Sequence, residues 1–460
     1  MASLAGLLRE RGDVVTGSDQ DVYPPMSTQL AALGIPVRSP YQEANVPEDA
    51  DLVVIGNALS RGNPEVEAVL DRKQRASSLP AVLAEEFIRG RTSLVVAGTH
   101  GKTTTTAMLA FLLHRAGLDP SFLVGGIPLD LDRSYRLGRG PQFVVEGDEY
   151  DCAFFDKRPK FVHYMPDVAV IGNVEFDHAD IYPDLAAVQT AFARLLDVIP
   201  RRGLLVAGAE SPALIELLGR ARCRVQTFGI ACDADWRAED VRPEGASTRF
   251  RLVRRRGDAL EASLAVPGEH NVRNALAALG AAAEQGVAPE AALAALAAFR
   301  GVRRRLELRG RARGVAVYDD FAHHPTAVRE TLRALRRVAP GGGRLLAVFE
   351  PRSYTSRTRV FQEDFARSFA EADLVIVAAA HLPGKVPEGQ RISERDLVAS
   401  IERRGREAWF VPAVDAIVAR LAEALHEGDT VVVLSNGGFG GIQDKLLAAL
   451  GPGSGAPSVV

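Results

Sequence analysis

The sequence predicts an α/β protein of three domains, and three observations carry that prediction. Short apolar runs alternate with amphipathic windows along the chain, the pattern of helices layered on parallel sheets. The 460 residues, 47% hydrophobic and 25% charged, are too many for one compact core and fit three units of ordinary size. One strand, Ser93–Ala97, runs into a glycine-containing loop that opens a helix at Lys102, as phosphate-binding domains do.

Taken in order, the first region (1–89) contains expected strands at Val14–Gly17, Pro36–Val37 and Leu52–Gly56, with helical windows ending in Ala81–Arg89. The second (90–310) follows Ser93–Ala97 with a helix over Lys102–Ala116, then strands at Phe143–Glu146 and Val168–Gly172, and helices within 271–299. The third (311–450) alternates strand Val315–Tyr318, helix Thr326–Arg337, strand Leu345–Phe349, helix Val360–Glu371 and strand Leu374–Ala378. It closes with strand Thr430–Leu434 and helix Gly441–Leu450. The Gly/Pro/Ser-rich tail, 451–460, is expected to be disordered.

A net charge of -3 and a pI near 6.4 argue against a nucleic-acid surface. Three cysteines with no zinc spacing are neither a metal framework nor a disulfide one and point to a reducing compartment. The Ala-rich stretch Ala275–Phe299 is broken by Glu284, Gln285, Pro289 and Glu290, so it reads as two packed helices and not a membrane span. A cytoplasmic protein is expected.

Five segments carry chemistry. In Gly98-Thr-His-Gly-Lys-Thr-Thr104, backbone N–H groups at a helix start form an anion site, Lys102 reaches the β- and γ-phosphates, and Thr103 offers a hydroxyl to Mg²⁺. Val96 stands where the usual pattern has its first glycine, so the loop is a shortened variant. Glu146-Gly-Asp-Glu-Tyr-Asp151 ends a strand in four carboxylates, which suits either Mg²⁺–ATP or a solvated acidic loop. Asn173-Val-Glu-Phe-Asp-His178 repeats the arrangement, with His178 either a metal ligand or a hydrogen-bonding residue. Asn271 is either a helix N-cap or a contact for adenine or ribose, and Asp319-Asp-Phe-Ala-His-His-Pro325 either a turn or a nucleotide-facing loop.

In this order, and with Phe299-Arg-Gly-Val-Arg-Arg-Arg305, these segments resemble the Mur ligase superfamily over nearly the whole chain. The flanking stretches Gly17-Ser-Asp-Gln-Asp-Val-Tyr-Pro-Pro-Met-Ser-Thr-Gln29, Val54-Ile-Gly-Asn-Ala-Leu-Ser-Arg-Gly-Asn-Pro64, Phe154-Phe-Asp-Lys-Arg158 and Ser435-Asn-Gly-Gly-Phe-Gly-Gly-Ile442 look like its peptide-recycling branch more than its L-alanine-adding one. The resemblance implies a Rossmann-like N-terminal domain for the UDP-sugar, a central P-loop-type ATPase domain and a Rossmann-like C-terminal domain for the amine. It implies ATP and Mg²⁺ as cofactors, and UDP-N-acetylmuramate and murein tripeptide as partners, joined through an acyl-phosphate.

By the same resemblance, Gly98, Thr99, His100, Gly101, Lys102, Thr103 and Thr104 bind ATP, with Asn271 at the adenine and Arg305 and Asp320 closing from the domain junction. Thr103 and Glu146 hold one metal and His178 the other, while Lys102, Glu146 and His178 are catalytic. Ser18, Asp19 and Asn57 face the UDP-sugar, and Arg352 faces a diaminopimelate carboxylate. Family members place a strand and Gly-rich loop ahead of the first helix, whereas this sequence starts within that helix. A first domain lacking its first strand is therefore expected, and with it one alternative, a non-catalytic ATP-binding relative; an L-alanine-adding ligase is the other alternative within the family.

Overall fold

A computed structural model describes residues 1–22, 26–255, 257–339 and 343–451. Arg256 and the tail from 452 onward lie outside the described residues, so the expectation of a disordered tail falls outside them too.

The N-terminal region begins in the helix Ala2–Arg11 and continues through two parallel two-stranded ribbons. Gly17–Ser18 pairs with Val37–Arg38, and Val53–Ile55 with Ala76–Ser78. The strand expected at Val14–Gly17 is reduced to Gly17–Ser18. Val14 is 91% exposed, and a β-branched residue favours a strand only when neighbours cover it. Leu4 and Leu7 of the first helix are fully buried in the core beneath Val95, Phe143 and Phe161, which fastens this region to the central sheet. Gly6 permits that docking, because a β-carbon there would fall 2.0 Å from the ring of Tyr135.

Among the described residues, the central sheet has ten strands. Its heart is parallel: Ser121–Leu123, Gln142–Glu146, Thr92–Ala97, Val168–Ile171 and Leu204–Gly208 lie side by side in that order. Helices Lys102–Arg115 and Glu269–Glu284 cover one face and Leu185–Asp197 the other. Burial on both faces explains why these strands read as unbroken apolar runs. Beyond them, Arg224–Ile230, Trp236–Glu244, Ser247–Arg254 and Leu260–Leu264 extend the sheet, turning antiparallel after Trp236–Glu244.

The C-terminal sheet has six strands, in the order Glu307–Ala312, Val315–Asp320, Thr430–Leu434, Leu345–Phe349, Leu374–Val377 and Glu407–Phe410. Its first strand runs through the division expected at 310, so this sheet begins by residue 307. The strands at Leu345–Phe349 and Thr430–Leu434 match expectation to the residue. The helix expected over Val360–Glu371 is shorter, Gln362–Ser368, after a single 3₁₀ turn.

Ligands of open parallel sheets bind beyond the carboxyl ends of the strands. In the central sheet, three adjacent strands end in the loops at 98–101, 147–150 and 172–180, which places the predicted chemistry in one crevice.

Candidate active site

The phosphate-type loop is shaped by its neighbours. Gly98 (φ +128°) and Gly101 (φ +82°) adopt backbone conformations that side chains disfavour, and a β-carbon on Gly101 would sit 2.4 Å from Asn274 Oδ1. The Thr99 N–H donates to the Asn173 carbonyl (3.0 Å), and the His100 N–H donates to Asn173 Oδ1 (2.8 Å). Thr99 Oγ1 accepts from the Glu175 N–H at 2.8 Å. Two loop donors are thus spent on the adjacent strand's loop. The anion-binding capacity falls to the start of the helix, where Gly101, Lys102, Thr103 and Thr104 lie.

Around this helix start the carboxylates divide into two pairs of roles. Thr103 Oγ1 donates to Glu146 Oε1 (2.9 Å) and accepts from Arg305 Nη2 (3.1 Å), while the Gly125 N–H donates to Glu146 Oε2 (2.7 Å). A β-carbon at Gly125 would lie 2.6 Å from that oxygen, so a larger residue there would displace the Glu146 carboxylate. Lys102 Nζ donates to Glu149 Oε2 (2.8 Å) and Oε1 (3.1 Å), and to the Gly98 carbonyl (2.8 Å). His178 Nε2 lies 3.4 Å from Glu149 Oε1.

Glu149 is the residue that reading the sequence passed over. Four carboxylates in six residues mark the segment, but only the turn after the strand shows which one folds back onto Lys102. Its side chain is 2% exposed. Burial would push its carboxyl up, but the Lys102 ammonium and His178 outweigh this and bring it down to about 2. The same contacts hold Lys102 and His178 above their ordinary values, against the opposing pull of burial.

An acid-stability prediction follows from this depressed carboxyl. Its contribution is complete above the ordinary value of 4.5 and is lost as pH falls toward about 2. Glu149→Gln is expected to flatten the acid limb of unfolding in that window, read by circular dichroism. An unchanged limb would show that the Lys102–Glu149 pair adds no net stability.

A cavity of about 420 Å³ opens beside the loop, walled by His100, Lys102, Asn271, Asn274, Arg305 and Asp320 among others. Asn271 is not the N-cap of its helix; that position is Gly268, and Asn271 sits inside the first turn. Its Nδ2 donates to the Pro267 carbonyl (2.7 Å) and its Oδ1 accepts from Asn274 (3.2 Å). The Arg305 guanidinium lies 4.6 Å from the Phe321 ring centre while reaching Thr103. Asp320 accepts from the Leu306 N–H (2.7 Å), the Ala322 N–H (2.9 Å) and Thr331 Oγ1 (3.1 Å), so its carboxylate braces the junction that carries Arg305.

The residues expected on the substrate side are more dispersed. Ser18 and Asp19 lie at the end of one N-terminal ribbon strand, and Asn57 lies just after Val53–Ile55 of the other. Asp19 Oδ1 accepts from the Asp21 N–H at 3.2 Å. Arg352 follows the C-terminal strand Leu345–Phe349, and its guanidinium packs so closely on Gly437 that a β-carbon there would collide with it. His100, Glu175 and His324 also cluster, but both ring nitrogens of His324 are engaged, by the Thr326 N–H and the Phe176 carbonyl. This group is a hydrogen-bonded junction between domains.

Three family descriptions cover the chain in order: Mur ligase family, catalytic domain (1–90); Mur ligase middle domain (96–282); and Mur ligase, glutamate ligase domain (304–437). The chain belongs to the Mur ligase family, whose members are ATP-dependent ligases, and it is such an enzyme. It is 42% identical, over 98% of its length and 96% of the relative's, to the UDP-N-acetylmuramate–L-alanyl-γ-D-glutamyl-meso-2,6-diaminoheptanedioate ligase of Escherichia coli K12. It is 40% identical to the UDP-N-acetylmuramate–L-alanine ligase of Kineococcus radiotolerans, over 98% of this chain and 94% of that one. Among solved structures it resembles a murein peptide ligase from Psychrobacter arcticus (37% identity, TM-score 0.75, 99% and 97% covered). It also resembles a UDP-N-acetylmuramate–alanine ligase from Thermotoga maritima (26% identity, TM-score 0.81, 97% and 96% covered).

Proposed function

We propose that this enzyme joins UDP-N-acetylmuramate to the peptide L-alanyl-γ-D-glutamyl-meso-diaminopimelate, consuming ATP and returning wall tripeptide to synthesis. The full-length 42% identity to the E. coli ligase of that name carries the reading. A second reading, the L-alanine-adding ligase, draws support from the higher TM-score of the Thermotoga structure. A global score on a three-domain chain depends on the angles between domains, whereas identity does not. Identity favours the peptide ligase, at 37% against 26% for the two structures.

A carboxylate does not acylate an amine in water, because oxide is a poor leaving group. Phosphorylation of the muramyl carboxylate by ATP converts that oxygen into phosphate, which the amine then displaces. The helix start from Gly101 to Thr104 and the Lys102 ammonium would bind the phosphates, and Arg305 would reach the transferring group from the domain junction. Asn271 and the cavity beside it would take the adenine. Arg352 would hold the peptide carboxylate, and Ser18, Asp19 and Asn57 the UDP-sugar.

The residues present fit magnesium. The Thr103 hydroxyl and the Glu146 carboxylate are hard oxygen donors that already meet, in a cradle kept open by Gly125. Thr103 and Glu146 would hold one ion, and His178 with Glu149 a second. The ions would supply positive charge that offsets the triphosphate and the transferring phosphoryl group.

The test is phosphate release with Mg²⁺–ATP and UDP-N-acetylmuramate, comparing the tripeptide with free L-alanine. Turnover with the tripeptide alone is expected. Turnover with L-alanine alone would transfer the enzyme to the second reading.

A further inference from the structure

The loop that carries His178 is gripped by the C-terminal domain. Phe176 stacks on Phe361 (5.6 Å between ring centres, 29°), His324 Nε2 donates to the Phe176 carbonyl (3.2 Å), and Thr326 Oγ1 donates to Glu175 Oε2 (2.7 Å). A fourth contact differs in kind. Asp177, 5% exposed, receives two donors on the same oxygen: Thr355 Oγ1 of the C-terminal domain and the backbone N–H of His178, each at 2.7 Å. His178 itself is held at φ +54°, a conformation rarely visited by residues with a β-carbon. From there its Nε2 meets Glu149 Oε1 at 3.4 Å, and Glu149 Oε2 meets Lys102 Nζ at 2.8 Å.

We propose that Thr355 and Asp177 form a positioning relay that sets His178 against Glu149 and Lys102 only when the C-terminal domain is seated. Thr355 lies three residues from Arg352, in the turn assigned above to the incoming amine, so one turn both receives that substrate and aligns the phosphate side. This inference rests on the ligase reading. Its physical core is a single carboxylate oxygen shared by two domains: one hydroxyl from the amine side fixes the oxygen that fixes the histidine backbone. The Phe176, His324 and Thr326 contacts do not pass through Thr355, so deleting its hydroxyl leaves the domains docked.

Thr355→Val keeps the shape and removes the donor. It is expected to lower kcat for ligation about tenfold, the weight of a buried hydrogen bond to a charged acceptor, with KM for ATP little changed. Thr355→Ser should restore kcat. In a His178→Ala background, Thr355→Val should add nothing, because the relay then has no end. Amide hydrogen exchange on the full chain gives a readout independent of turnover: the segment around His178 should exchange about tenfold faster in Thr355→Val and at the wild-type rate in Thr355→Ser. Equal losses in both backgrounds, or exchange unaltered by Thr355→Val, would overturn the relay. If the wild-type chain ligates neither amine, the ligase reading fails and the exchange comparison alone upholds or overturns the relay.

Discussion

Lys102→Ala is expected to slow ligation by about a hundred- to a thousandfold, the cost typical of losing one preorganised charge-stabilising donor. Lys102 is buried beside Glu149 and anchored on the Gly98 and Thr99 carbonyls, so its ammonium is already in place before nucleotide arrives. Its removal also strands Glu149 with His178 as its remaining charged contact, and that carboxyl should rise from its depressed value. Lys102→Arg is expected to recover little, since the pocket fits a compact ammonium and a guanidinium fork is wider and planar. Single-turnover ADP formation measures the effect directly. Loss confined to KM for ATP, with kcat intact, would mean that Lys102 binds the ground state and transition state equally.

Gly101→Ala is the second large effect. The positive φ alone costs a residue with a β-carbon about 1–2 kcal/mol. The new methyl would also meet Asn274 Oδ1 at 2.4 Å, pressing on the residue that holds Asn271. ATP affinity, measured by calorimetry, is expected to fall by at least about tenfold from the backbone strain and the displaced asparagine pair together. Asn274→Ala in the same chain should relieve the collision and recover part of the loss, leaving the backbone component. Full recovery would show that strain at Gly101 contributes nothing.

The elements legible in the sequence are those whose local pattern and tertiary surroundings agree. Leu345–Phe349, and Thr430–Leu434 after its first residue, are apolar because helices cover both faces of their sheet, and their ends stand where expected. The strands of 224–264 escaped notice because they lie at the outer part of the central sheet. There Arg237, Glu239 and Arg251 pair across an exposed face, so the apolar signal is diluted. In the N-terminal region, two-residue strands leave too short a period to read.

The candidate site divides the same way. Lys102 and Thr103 stand out because a strand–loop–helix fixes their relation locally, and Glu146 because it ends an apolar strand; the structure brings Glu146 to Thr103 and Glu149 to Lys102. Glu149 was one acidic residue among four, and Asp320, expected at the nucleotide, both lines the cavity and accepts from the Leu306 N–H of its own junction. Gly125 and Thr355 had no local signal at all, since each acts on a residue far along the chain: Glu146 in one case, Asp177 in the other.

The junction at Arg304–Leu306 bears on how the chain acquires its shape. The Leu306 N–H is held by Asp320, and Arg305 reaches back to Thr103, some two hundred residues earlier in the chain. Contacts of such sequence separation close late, because the entropy of a long loop must be overcome before they form. A nucleotide seated between Lys102 and Arg305 would bind only chains in which both domains have completed folding and docked. By mass action it would draw the population toward that form, stabilising the assembled state in proportion to its concentration over its dissociation constant. For this protein the energy currency of the reaction would therefore also act as a selective chaperone of its own binding cleft.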